Sequence, residues 1–278
     1  MIIARTYLYI PAIKEKYYET INSNQADAII FDLEDSVSIR HKEEARNILL
    51  KFLTSTNEIS KKIFIRINSD PEQQLKDIKI INKLENKISG VFLSKVKSSE
   101  DVNIFYKQLF KNTYYIIPLI ETPESILNLE SIVKNDYVKT VALGEVDLSN
   151  SLNIDPKNGY KQMIPIRLFV NIVLAANNKH SPIGPVWLKI NDDKGLTKHM
   201  NILKDLGYSG VQLIHPTQIK IANNIFSYSD EEIIWAKEVI KNSSNSLINT
   251  GSFKDPSNEM VDEAVIKLAR KIIDSFEV

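Results

Sequence analysis

The sequence predicts an α/β protein built as a closed (β/α)8 barrel, a TIM barrel, and three observations predict it. Eight short apolar runs rich in Ile, Val, Phe and Tyr recur along the chain. Helix-like segments separate most of them, which is the alternation of a parallel sheet. No glycine-rich phosphate loop follows the first run, and this counts against an open doubly wound sheet of similar length. Strands buried on both faces read as continuously apolar, as these runs do.

The elements follow in order. The first run is Thr6–Pro11 (TYLYIP), and a helical pattern covers Lys14–Asn22. The second run is Ala28–Glu34 (AIIFDLE). Behind it Lys42–Leu53 carries Ala45, Ile48, Leu49 and Phe52 at helical spacing. Then come Ile63–Asn68, Gly90–Val96 and Tyr114–Glu121. After the fifth run Thr122 reads as an N-cap and Pro123 as the first helical residue. The last three runs are Thr140–Asp147, Ile183–Lys189 and Gly210–His215. Beyond Asn223 the pattern becomes a helix at Asp230–Lys241, a polar stretch NSSNSLINTGSFKDPSNE expected to be a loop, and a helix at Val261–Phe276. The chain is therefore expected to divide into a catalytic barrel at 1–225 and a C-terminal helical extension, or lid, at 226–278.

Composition removes several function classes. The 278 residues are 43% hydrophobic and 25% charged, enough for a sizeable core. Lys and Arg number 35 against 35 Asp and Glu, without the basic excess of a nucleic-acid binder. There is no cysteine, so disulfides, thiolate metal sites and a Cys nucleophile are excluded. No apolar run approaches the ~20 residues of a membrane span, and the N-terminus has no signal-peptide pattern. The expected location is the cytoplasm.

In such barrels chemistry gathers at the C-terminal ends of the strands. Polar residues stand at those ends in six of the eight runs: Asp32, Glu34 and Asp35; Arg66 and Asn68; Lys95; Glu121; Asp147; His215. Charge inside an apolar strand is costly unless partnered, so this concentration at one end, with both signs, is the layout of a site. Glu121 and Asp147, with no Cys or His beside them, suit a hard cation, and Mg²⁺ typically takes one or two carboxylates. Arg66 offers a planar fork for a substrate carboxylate, or a fixed ion pair to Glu34 or Asp35. Lys95 could serve as a Schiff-base amine or as an ion-paired cation. His215, held before Pro216, reads as structural. His41, His180 and His199 lie in segments that read as exposed.

These segments resemble the aldolase/citrate lyase family: the citrate lyase beta subunit and the malyl-CoA and citramalyl-CoA lyases, within the pyruvate/phosphoenolpyruvate-binding superfamily. ADAIIFDLEDSV (Ala26–Val37) is similar to that family's DLED segment, followed by Lys42 and Ala45–Arg46. FIRIN, LSKV, LIETPESILN, LGEVDLSNSL and LGYSGVQLIHPTQI follow in the family's order. The resemblance implies that Glu121 and Asp147 ligate Mg²⁺ and that Arg66, with Arg5 and Lys95, binds substrate. It implies that Glu34 and Asp35 order metal-bound water. It also implies that Asp262, in GSFKDPSNEMVD, enters a neighbouring subunit's site as the general acid of a homo-oligomer, a trimer. Three departures stand out: no glycine in the first loop (Pro11–Lys14), Ser94 before Lys95, and Gly184 at a position where Asp is common.

The implied reaction is cleavage or formation of a carbon–carbon bond in a 3-hydroxy-3-carboxyacyl thioester such as citryl-, malyl- or citramalyl-CoA. The products are an acyl thioester and a 2-oxo acid. Three alternatives stay open: an Mg²⁺-dependent aldolase on free oxo acids, a lyase subunit active only with an acyl carrier protein, and a non-catalytic relative.

Overall fold

Period-two alternation explains how eight apolar strands can end in a polar mouth. The computed structural model describes residues 4–56, 59–110, 114–155, 161–250, 253–254 and 260–276. Eight parallel strands close into a barrel: β1 Thr6–Pro11, β2 Ala28–Asp32, β3 Lys62–Ile67, β4 Gly90–Leu93, β5 Tyr115–Ile120, β6 Ala142–Leu143, β7 Ile183–Gly184 and β8 Gly210–Leu213. β8 pairs with β1, so no edge is left exposed. On a strand every second side chain faces the same way. The inward rows run Tyr7–Tyr9, Ala28–Ile30–Asp32, Phe64–Arg66, Phe92–Ser94 and Ile117–Leu119–Glu121. Their first members form the apolar core inside the barrel. Tyr7, Phe64 and Phe92 meet there with ring centroids 5.6–5.9 Å apart, tilted or edge-on, and plug it. The last members of these rows are polar. They stand together at the C-terminal rim because the strands are parallel.

The helices in this unit are α1 Lys42–Ser55, α2 Pro71–Leu84, α3 Ser99–Lys107, α4 Pro123–Leu127, α5 Leu129–Lys134, α6 Glu145–Ser151, α7 Ile164–Ala176, α8 Asp193–Asp205 and α9 Ile219–Phe226. α1 buries Ala45, Leu49 and Leu53 against the strands. α4 begins as its sequence predicts. Thr122 accepts a hydrogen bond from the Ser125 amide, and Pro123 occupies the first turn.

The chain divides into two compact units, one ending at Phe226 and the other beginning at Ser227. The second unit contains α10 Asp230–Thr250, a two-stranded antiparallel piece (β9 Phe253–Lys254 with β10 Met260–Val261) and α11 Glu263–Phe276. Its own core joins Ile233, Ala236 and Val239 to Val261, Ile266, Ala269 and Ile272. Among the described residues no helix is long and apolar enough to cross a membrane.

Several boundaries differ from the sequence pattern. The sixth run is a strand only at Ala142–Leu143, and Glu145 onward is helical. Alternation in VALGEVDL imitates a strand, and short apolar runs do not distinguish the two periods. The seventh run pairs only at Ile183–Gly184. The segment expected to be a helix at Lys14–Asn22 is a 3-10 helix at Glu15–Thr20. The polar stretch after Lys241 is helical as far as Thr250. Asn and Ser are weak helix formers, but the cost per residue is below ~1 kcal/mol, and the stretch continues a helix already packed through Ile233, Ala236 and Val239. Residues 251–252 and 255–259 of that stretch lie outside the described residues.

Candidate active site

Arg66 is the centre of the cluster. Its Nε and Nη2 donate to Oδ1 and Oδ2 of Asp32 at 2.7 and 2.6 Å, and its Nη1 donates to Oδ2 of Asp35 at 3.0 Å. Nη1 also lies 3.4 Å from Oε2 of Glu34. The guanidinium sits 4.9 Å from the ring centre of Tyr9, a cation–π contact that supports it from below. A guanidinium carries five N–H groups, and three of these are engaged. With Glu34 beside Nη1 as well, the guanidinium is ion-paired to Asp32, Glu34 and Asp35, so the fixed ion-pair reading of Arg66 holds.

Asp32 belongs to the inward row of β2 and is buried. Burial works to raise its pKa. The Arg66 charge and hydrogen bonds, with Ser36 and the Glu34 amide, outweigh burial and hold the carboxyl below its usual range. Glu34 is also buried, yet neither of its carboxylate oxygens accepts a hydrogen bond. Burial raises its pKa, Arg66 partly offsets this, and Asp35 adds to it. Asp35 is half exposed.

Glu121 follows the last residue of β5. Its Oε1 accepts the Lys95 amide at 2.6 Å. Burial and then the charge of Glu34 push its carboxyl up to about 8; the Lys95 amide and Arg66 oppose this, and Asp147 adds to it. Lys95 has a φ of 53°, in the left-handed region, and that geometry aims its amide at Glu121. The Lys95 side chain is exposed, so the backbone of this residue is what reaches the cluster. Asp147 stands in the first turn of α6, not on a strand end, and is half-buried. Gly144 caps that helix and presses on Glu121. A Cβ there would lie 2.6 Å from Glu121 Cβ and 2.7 Å from Glu121 Oε2. Close packing of the two segments thus requires glycine.

Among the described residues no group of three or more His, Asp or Glu side chains is arranged to hold a metal ion. The acids present are Glu121, held by one amide, Asp147, whose charge reaches it, and Glu34, with two unbonded oxygens. This is an excess of carboxyl groups over one guanidinium, and burial favours the neutral forms of Glu34 and Glu121 in the absence of a cation. An all-oxygen donor set with this imbalance fits a hard divalent cation, which needs few protein carboxylates.

One expected residue, Arg5, falls elsewhere in the barrel, and the other polar candidates have local partners of their own. Arg5 precedes β1, at the N-terminal end of the barrel, and pairs with Asp27 through Nε and Nη2 at 2.9 and 2.8 Å. A strand of six residues spans about 20 Å, so Arg5 is a floor ion pair and does not reach the mouth. Asp262 lies in the second unit, exposed, and caps α11: its Oδ1 accepts the amides of Ala264 and Val265. His199 is buried, contrary to its exposed-looking segment. It lies beside the buried ion pair of Arg167 and Glu145, and burial, with the Arg167 charge, holds it down to about 3. His215 is half-buried and caps the 3-10 helix Pro216–Gln218. Asn68 serves the scaffold by donating to buried Asp77.

A family model described as HpcH/HpaI aldolase/citrate lyase matches residues 5–216. The chain belongs to the HpcH/HpaI aldolase/citrate lyase family. The matched span contains every residue of the cluster. Among curated members, (3S)-malyl-CoA thioesterase of Cereibacter sphaeroides is 30% identical over 242 residues, covering 85% of this chain and 81% of that protein. Human mitochondrial citramalyl-CoA lyase is 25% identical, covering 97% and 84%. Among solved structures, protein CitE from Mycobacterium tuberculosis in complex with magnesium, acetoacetate and coenzyme A superposes with a TM-score of 0.78 at 23% identity, over 99% and 98% of the two chains. This superposition carries the fold of the family, a closed barrel of eight parallel strands ringed by helices.

The sequence pattern named Asp32 without ranking it and passed over Gly144. Asp32 was one of three acids in DLED until its inward parity singled it out. Gly144 has no side chain to draw attention, and only the packing of Glu121 shows its purpose.

Proposed function

We propose that the protein is an Mg²⁺-dependent carbon–carbon lyase that splits, or forms, a 3-hydroxy-3-carboxyacyl thioester, giving an acyl thioester and a 2-oxo acid. One observation carries this reading: Glu34 and Glu121 are buried together near the Arg66 guanidinium, with more carboxylates than cations between them. Glu121 and Asp147 would hold the ion. When bound, Mg²⁺ supplies Lewis acidity and neutralises the surplus carboxylate charge. Arg66 takes the substrate carboxylate and fixes its orientation. Asp32 holds Arg66 in place for this. Glu34, raised by burial and without hydrogen bonds of its own, accepts the hydroxyl proton, alone or through an ordered water with Asp35. The bond from the carbinol carbon to the carbon next to the thioester then breaks, and the oxo acid carbonyl forms. The departing enolate takes a proton on carbon from Asp262 of a neighbouring subunit, in a trimer. The relatives named for citramalyl-CoA lyase and for binding of magnesium and coenzyme A support this choice of substrate.

A second reading has its own support, since a (3S)-malyl-CoA thioesterase is 30% identical. A hydrolase would free the thiol and leave the carbon skeleton whole. A panel of malyl-, citramalyl- and citryl-CoA with Mg²⁺ separates the two. Release of 2-oxo acid without free thiol is expected. Stoichiometric free thiol with no oxo acid would make the protein a thioesterase.

A further inference from the structure

We propose that Lys42 is a positioning residue for the acid cluster: its buried ammonium holds the turn that carries Glu34 and Asp35. The proposal rests on the metal-dependent reading of the site. Lys42 is the first residue of α1 and only 8% exposed. Its Nζ donates to the Leu33 carbonyl at 2.7 Å and to the Glu34 carbonyl at 2.6 Å. The other side of the turn is held by Asp32, whose two oxygens accept the amides of Glu34 at 2.9 Å and Ser36 at 3.1 Å. The Leu33 amide donates to the Arg66 carbonyl at 3.0 Å. The backbone of this turn is thus pinned from both faces.

The Glu34 side chain is not pinned by any hydrogen bond. Its carboxylate is placed by its own backbone and by the charge of Arg66. That backbone is placed by Lys42. An ammonium does this without occupying a carboxylate oxygen. It puts a positive charge behind Asp32, Glu34 and Asp35 while leaving the Glu34 oxygens open to the site. A direct Lys–Glu34 pair would neutralise the acid and close it off. A buried charge bonded to two carbonyls is costly unless opposite charge lies near; burial works against the Lys42 ammonium, and Asp32, Asp77, Glu34 and Asp35 offset part of that cost.

The absence of cysteine provides a specific test. Lys42→Cys is alkylated in urea with 2-bromoethylamine, which rebuilds an ammonium at nearly lysine length, or with bromoethane, which adds a neutral chain. Each product is refolded beside wild type treated alike. Mn²⁺ affinity is then measured by titration calorimetry, with the thermal midpoint recorded separately. The ethylated form is expected to bind Mn²⁺ at least about tenfold more weakly, because Glu34 and Asp35, which order metal-bound water, lose their backbone support, and misplaced outer groups cost a metal site about that much. The aminoethylated form should return to within threefold of wild type. Lys42→Gln, which needs no refolding, should show the same weakening. Wild-type affinity in the ethylated form or in Lys42→Gln would overturn the positioning role and leave the metal reading standing. Failure of wild type itself to bind Mn²⁺ would sink the metal reading, and this proposal with it.

Discussion

At the scale of single residues, Arg66 and Glu121 decide what the site can do. Arg66 binds Asp32 through two parallel hydrogen bonds, a geometry that an ammonium cannot reproduce. Arg66→Lys should therefore lower kcat/KM by at least about tenfold, the worth of one charge-assisted hydrogen bond of roughly 1.5–3 kcal/mol. Near-normal kcat/KM in that variant would mean that Arg66 serves only the scaffold. Glu121 makes metal binding depend on pH. Its carboxyl sits at about 8 in the metal-free protein, so below that pH the ion must displace a proton. Mn²⁺ affinity should rise by up to about tenfold per pH unit towards pH 8 and level off above it. The contribution of Glu121 to the stability of the metal-free protein should run the other way, against those of Asp27 and Asp32, which are held low. A folded pKa raised from 4.5 to about 8 means that the folded state holds the proton more tightly, so this contribution is greatest below 4.5 and falls as pH rises through about 8. Titrations at pH 6.5, 7.5 and 8.5 test the first trend, and a flat affinity profile would refute the assignment of Glu121.

At the scale of elements, α6 and α7 meet through charge. Arg167 is fully buried and donates to both oxygens of Glu145, the first residue of the helix that carries Asp147. Removing one partner strands the other in the interior. Arg167→Ala should cost about 3–5 kcal/mol of stability in urea unfolding, whereas replacing both residues with apolar side chains of similar volume should cost much less. A single-variant loss below about 1 kcal/mol would mean that the pair is solvated in solution. The helical spacing of α1, and Thr122 with Pro123 opening α4, were legible because each rests on local chemistry. The boundary between β6 and α6 was not, because the turn at Gly144 packs against Glu121, just past the end of β5, a contact far away in sequence.

At the scale of the whole molecule, the two units raise the question of where Asp262 works. It caps α11, and Asn caps as well as Asp, so Asp262→Asn should leave the fold intact. In the proposed trimer this variant should bind substrate and metal but lose turnover, since an amide cannot deliver the proton. Mixing it with Glu121→Ala under subunit exchange should restore part of the activity. Mixed oligomers without any recovered activity would rule out a site shared between subunits.

The barrel and the polar ends of its strands were readable because a parallel strand buried on both faces must be continuously apolar, and because charge breaks that rule only where something faces it. The cluster Asp32–Arg66–Glu121 follows from parity along each strand, which is local. Tertiary structure alone decided partners and ends. Arg5 sits on the floor with Asp27, because direction along a strand separates two arginines that look alike in sequence. His199 is buried because α8 turns it towards Arg167. Glu34 keeps its oxygens unbonded because Lys42, eight residues on, holds the backbone instead. These outcomes depend on which surfaces meet when the barrel closes, and closure is a property of all eight strands at once.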